Sequence, residues 1–124
     1  MLTPDQAVDA YIAMWNAADE EHRRRLADKA LTADAFLLYP TFEAHGRVEA
    51  VATGERFHQD TPGVQIVMWS GVEQHHGWVR VAWCIVHADG SSGPDGQSVG
   101  ELGDDGRLRR VIGFRNPLPA TSPV

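Results

Sequence analysis

Gly77-Trp78-Val79-Arg80-Val81-Ala82-Trp83-Cys84-Ile85-Val86-His87-Ala88 is the stretch whose reading decides the fold. Its β-branched and aromatic residues form one long strand, bounded by glycine on one side and by a polar run from Asp89 on the other. Side chains alternate across a strand, so Val79, Val81, Trp83 and Ile85 share one face while Trp78, Ala82, Cys84 and Val86 share the other. Both faces are substantially apolar, and both sides of the sheet therefore need cover.

Moving outward, Val64 to Gly71, Gln97 to Leu102 and Arg107 to Asn116 also read as strands, which together with the long one predict a meander. Pro62-Gly63 marks the turn before them, Asp104-Asp105-Gly106 suits a tight hairpin, and Asp89 to Gly96 reads as a polar loop rich in Gly, Ser and Pro. The N-terminal half is helical. Thr3-Pro4-Asp5-Gln6 supplies an N-cap, a proline at the first helical position and a capping-box glutamine, and Val8, Tyr11, Ile12 and Trp15 follow as one apolar stripe. Asp19 caps a second helix ending near Thr32, Ala35 to Tyr39 is a short strand stopped by Pro40, and Gly46 starts a third helix reaching about Asp60. Helices can cover only one sheet face, so the other is expected to pack on a second subunit, a homodimer through the sheet. Residues 1–116 form one domain and 117–124 a C-terminal tail; there is no internal repeat or composition break.

Composition narrows the function classes. A formal charge of −6 argues against nucleic-acid binding, and Arg23-Arg24-Arg25, which follows Glu20-Glu21, reads as a solvated, charge-paired helix face. The single cysteine, Cys84, can form no intrachain disulfide and has no thiolate companions for a metal site. With no apolar run near the ~20 residues of a membrane span and no secretory signal, the chain is expected to be soluble and cytoplasmic, away from the membrane.

There is no P-loop, dinucleotide-binding glycine fingerprint, H-E-x-x-H or nucleophile-elbow serine. His75-His76 opens the long strand, where neighbours point to opposite faces, so the pair is not expected to share a metal; it is either a strand-edge feature or places His76 inward as an acid–base group. Tyr11 and Trp15 share the buried stripe and Asn16 adjoins them with an amide that needs partners. Aromatic residues at helical spacing ordinarily build core, yet a phenol in an apolar site is also a good donor to a ligand carbonyl.

Several features recur in one order: Tyr-Ile-Ala-Met-Trp-Asn at 11–16, Leu-Tyr-Pro at 38–40, His45-Gly46-Arg47 opening a helix, and the Pro-Gly turn at 62–63. His76, Arg80 and Trp83 follow, then Asp105-Gly106-Arg107-Leu108 ahead of a last strand ending in Gly113-Phe114. Over nearly its whole length the chain thereby resembles the nuclear-transport-factor-2-like superfamily, in the branch of SnoaL-like polyketide cyclases and ketosteroid-isomerase-like proteins. The resemblance implies an α+β fold, a cone-shaped barrel with N-terminal helices packed on a strongly curved antiparallel sheet, usually dimeric, with a deep pocket between them. In ketosteroid isomerase a first-helix tyrosine polarises the substrate carbonyl, an aspartate before a proline shuttles the proton, and a second, protonated aspartate shares the oxyanion. Tyr11 falls at the tyrosine position, but Tyr39 stands before Pro40 in place of the first aspartate and Ser98 in place of the second. A phenol with a pKa of about 10 is a poor base for a carbon acid, so the isomerase activity does not carry over.

These readings leave three functions open. One is a domain without metal or cofactor that binds a small apolar or carbonyl-containing molecule through Trp15, Asn16, Trp83 and Ser98. Another is an isomerase, cyclase or dehydratase in which Tyr11 polarises a carbonyl while His76 or Tyr39 handles a proton, similar to the trio of scytalone dehydratase. The remaining one is a structural dimer or adaptor whose pocket is filled by its own side chains.

Overall fold

The structure, a computed structural model, describes residues 1–121. Its elements run α1 (Pro4–Asn16), α2 (Glu20–Ala30), β1 (Leu31–Tyr39), β2 (Phe42–His45), α3 (Gly46–Asp60), β3 (Gln65–Met68), β4 (Glu73–His75), β5 (Trp78–Val86), β6 (Ser92–Leu102) and β7 (Leu108–Arg115). The helix starts obey the local chemistry. Thr3 accepts from the Gln6 amide while the Gln6 side chain accepts from the Thr3 amide, and Asp19 Oδ1 accepts from the His22 amide at 2.8 Å.

The fold is α+β, with the helices packed on a seven-stranded sheet of order β2-β1-β7-β6-β5-β3, and β4 pairing with β5 off this path. It departs from the expected all-antiparallel barrel in two respects. β1 and β7 run parallel, because β1 enters the sheet directly from α2 and is placed beside the last strand, and the sheet stays open rather than closing. The meander from β5 through β6 to β7 is antiparallel throughout.

Four local expectations are corrected. β1 begins at Leu31 rather than Ala35, and β2, unread in the sequence, folds back on it. β6 begins at Ser92, so most of the expected polar loop is strand: Asp95 pairs with Cys84 on one side and Gly96 with Arg115 on the other, and pairing on both sides overrides the low strand propensity of Ser-Gly-Pro-Asp-Gly. The expected strand from Val64 to Gly71 ends at Met68, and a separate short strand, β4, leads into β5. Arg23 is not solvated. It is fully buried, donating from Nη1 to Glu55 at 2.6 Å and from Nη2 to the Ala17 carbonyl at 2.5 Å, and so ties the end of α1 and α2 to α3; Arg24, by contrast, forms the expected exposed pair with Glu20.

The core lies between helices and sheet, built from Ala7, Met14 and Trp15 of α1, Ala27 and Ala30 of α2, and Leu37, Val79, Val81 and Val111 of the concave sheet face. The opposite, convex face keeps Val67 and Phe114 exposed, and Trp69, just beyond β3, is exposed as well. Residues 118–121 carry no helix or strand, and the last three residues of the expected tail, 122–124, lie outside the described residues. No helix is long and apolar enough to cross a membrane, and among the described residues no cluster of His, Cys, Asp or Glu has the makings of a metal site.

Candidate functional site

The helices do not fill the concavity of the sheet. They leave a cavity of about 440 Å³ between α1, α3 and the strands. Its walls are apolar for a simple reason: Ile12 and Trp15 come from the buried stripe of α1, Phe57 from α3, and Ile66, Trp83 and Ile85 from the inward-facing positions of β3 and β5. Tyr39 stacks on Phe42 at 4.9 Å between ring centroids, and Phe42 in turn meets Trp15 at 5.5 Å, so the first hairpin closes one side with rings.

The buried end carries a chain of hydroxyl groups. Trp83 Nε1 donates to Ser98 Oγ at 2.9 Å, Ser98 Oγ lies 2.8 Å from the Tyr39 hydroxyl, and the Tyr39 hydroxyl lies 2.7 Å from that of Tyr11. The register of β6 explains Ser98: it pairs with Val81 and Gly113, both on the concave face, and is buried. Two glycines make room for the aromatic partners. The Tyr39 ring lies against Gly113, where a Cβ would overlap it, and a Cβ on Gly96 would come within 2.7 Å of the Trp83 ring.

Counting protons shows what the chain offers. Three hydroxyls hold three protons, and the Tyr11–Tyr39 and Tyr39–Ser98 links use two of them, since the Trp83 link uses the indole proton. One hydroxyl proton is left over, on a chain whose three residues all line the cavity. Burial pushes the Tyr11 phenol well above its usual range, reinforced by the neighbouring Tyr39 oxygen, and burial pushes Tyr39 up to about 12 although the hydrogen bonds from Ser98 and Tyr11 pull the other way. Both phenols are therefore neutral donors at physiological pH. The buried end can hold one acceptor oxygen, and its hydroxyl groups are poor bases for a carbon acid; the carboxylate that lines the cavity, Asp60, stands at the rim.

Of the residues singled out from sequence, Tyr11, Trp15, Tyr39, Trp83 and Ser98 meet around this cavity, and two do not. Asn16 is used structurally: its Nδ2 donates to the Ile66 carbonyl at 2.8 Å and its Oδ1 accepts from the Ile66 amide at 2.7 Å, which clips α1 to the edge strand β3 and engages both polar atoms of the amide. His76 is exposed on the β4–β5 turn, where it and Gly77 have φ of 52° and 80°, the pair of positive values that a type I′ hairpin turn requires. Its ring faces His75, Nδ1 to Nδ1 at 3.2 Å, and is absent from the cavity wall. Sequence reading missed Arg56, Asp60 and Arg115 at the exposed rim. Strand alternation holds the signal for Arg115, which follows the inward-facing Val111 and Gly113 at a spacing of two.

No protein-family model matches the chain, and no curated protein matches it. Solved structures do. A protein of the SnoaL-like family from Agrobacterium tumefaciens strain C58 is 27% identical with a TM-score of 0.87, covering 94% of this chain and 100% of its own. A nuclear-transport-factor-2-like protein of unknown function from Exiguobacterium sp. 255-15 is 18% identical with a TM-score of 0.70, covering 89% and 98%. A protein with a ketosteroid-isomerase-like fold from Catenulispora acidiphila DSM 44928, solved in complex with trimethylamine, is 10% identical with a TM-score of 0.72, covering 90% and 86%. Element order, the helix-covered concave sheet and the likeness to the Agrobacterium protein along nearly the whole of both chains lead to one assignment: the chain has the nuclear-transport-factor-2-like fold and is similar to its SnoaL-like branch.

Proposed function

We propose that the protein binds a small, largely apolar molecule in this cavity and recognises one acceptor oxygen, such as a ketone or ester carbonyl, through the spare proton of the Tyr11–Tyr39–Ser98 chain. The observation that carries this reading is the proton count together with the neutrality of both phenols. The cavity volume of about 440 Å³ exceeds the ~300 Å³ at the lower end of small-molecule sites, which weighs against a self-filled adaptor domain. The isomerase, cyclase or dehydratase reading keeps its carbonyl-polarising tyrosine but loses its imidazole, since His76 lies on a distant exposed turn.

A matched pair of probes tests the proposal. 2-Decanone and decane differ by one carbonyl, and quenching of Trp15 and Trp83 fluorescence reports their entry. The ketone is expected to bind about tenfold more tightly than the alkane, equal to about 1.4 kcal/mol, and removal of all three hydroxyls in the Tyr11→Phe, Tyr39→Phe, Ser98→Ala variant should erase the difference. Equal binding of the two probes by the unaltered protein, or a preference that survives all three substitutions, would overturn the assignment. Turnover of a carbonyl compound, lost on Tyr11→Phe, would replace binding with catalysis.

The same proposal extends to the partner. The convex sheet face, with Val67, Trp69 and Phe114 exposed, is assigned to a second copy of the chain. Its arginines are paired within the chain, Arg80 with Glu73 at 2.6 Å and Arg110 with Glu101 at 3.5 Å, a carboxylate that Arg109 shares.

A further inference from the structure

Seven of the ten arginines lie within ion-pair distance of a carboxylate among the described residues. Arg25, Arg56 and Arg115 do not, and two of these three, Arg56 from α3 and Arg115 from the end of β7, line the cavity. In a chain of formal charge −6 this is an unexpected place for free guanidinium groups. The rim holds one opposing charge, Asp60, one helical turn beyond Arg56, and it bonds to neither arginine. Among the described residues Arg56 reaches only the Thr53 hydroxyl, at 3.3 Å, and Arg115 has no side-chain partner.

The cavity is therefore polar at its two ends in different ways. The buried end offers a single neutral donor, the walls are aromatic and aliphatic, and the exposed end offers two planar cations against one carboxylate. Guanidinium groups bind carboxylates through paired N–H donors, and beside an apolar wall that exchange excludes part of the water that weakens an exposed pair. Salt screens the net negative charge of the molecule beyond ~8 Å at physiological ionic strength, so the adjacent arginines dominate what a ligand meets at the rim.

We propose that the ligand is an amphipathic carboxylic acid: an apolar skeleton with an acceptor oxygen at the buried end and a carboxylate held at the rim by Arg56 and Arg115. The proposal rests on the binding role assigned to the hydroxyl chain and adds the charge and polarity of the ligand's outer end.

Three probes separate the two claims: 9-oxodecanoate, its methyl ester, and 2-decanone, each titrated against Trp fluorescence at low and at physiological salt. The keto acid is expected to bind about tenfold more tightly than its ester, with the ratio shrinking as salt rises. In the Arg56→Gln, Arg115→Gln double variant the ratio should fall to within twofold, and in the Arg56→Lys, Arg115→Lys variant, which keeps the charge, much of it should persist. Both arginines are exposed, and the melting temperature of each variant without ligand checks that the fold is intact. Ester and acid binding equally to the unaltered protein would overturn the carboxylate claim and leave the carbonyl site standing, as would a preference that survives the glutamine variant. Failure of all three probes to bind would overturn both.

Discussion

At the residue scale the informative group is the pair of phenols, because the chain contains only two tyrosines and both sit in the candidate site. A spectrophotometric titration at 295 nm thus reads the site alone. Burial pushes Tyr39 up to about 12 and Tyr11 well above its usual range, so the folded protein should show almost no phenolate at pH 10.5, and denaturation at that pH should release the signal. The linkage has a definite sign. Above pH 10 the unfolded chain loses phenolic protons that the folded chain keeps, so stability is complete below pH 10 and falls as pH rises through about 12. Urea unfolding at pH 9 and pH 11 should show that fall, and Tyr39→Phe should flatten it; an unchanged slope in the variant would place the loss elsewhere. Asn16 carries a second residue-scale lesson. Its amide was expected to face ligand, but both of its polar atoms are engaged by one residue of β3, and Asn16 is absent from the cavity wall.

At the element scale the site depends on how firmly α1 is held over the sheet, and Arg23 does much of the holding. Its side chain is 1% exposed, bridges the Ala17 carbonyl to Glu55, and lies so close to Gly54 that a Cβ there would stand 2.6 Å from Arg23 Cδ. One buried nitrogen, Nε, has no partner, so the arrangement binds three helical segments without full compensation. Arg23→Ala removes the bridge and opens a cavity beside Trp15, and a loss of about 3 kcal/mol or more is expected by urea unfolding. Gly54→Ala should also destabilise, because the arginine it would crowd is buried and held in place by Glu55 and the Ala17 carbonyl. A loss below 1 kcal/mol in Arg23→Ala would show that the helices are held by apolar packing alone. The basic run at 23–25 was read as one solvated face because sequence spacing gives a helical angle but does not say what lies across from it; only the proximity of Gly54 on α3 makes Arg23 different from Arg24.

For the whole molecule the open question is the convex face of the sheet. Trp69 and Phe114 are each about 60% exposed and Val67 is 42% exposed on the side opposite the helices. Sedimentation velocity at micromolar concentration should give the mass of a dimer, and Trp69→Glu with Phe114→Arg should give the monomer with its ligand affinity retained. A monomer from the unaltered chain would remove the second copy from the proposal. The cavity faces the other way, between sheet and helices, so dimerisation and ligand binding are predicted to be separable.

The sequence by itself determined the elements that depend on short-range physics. The capping box at Thr3, the apolar stripe through Tyr11 and Trp15, the third helix from Gly46 and the two-faced strand around Trp83 are all written in spacings of two, three and four residues, and each was found where the pattern put it. Which side of β6 Ser98 occupies was fixed only by the register with β5 and β7. Everything that brings distant residues together was decided by tertiary structure: the parallel pairing of β1 with β7, the strand formed from Ser-Gly-Pro-Asp-Gly, the turn that carries His76 away from the cavity, and the burial of one arginine of three. Pairing energies and burial accrue between segments far apart in the chain, and they outweigh local propensities of a few tenths of a kcal/mol to about 1 kcal/mol. The hydroxyl chain shows this most directly, since Tyr11, Tyr39 and Ser98 are 28 and 59 residues apart and share protons only because α1, β1 and β6 meet at one end of a concave sheet.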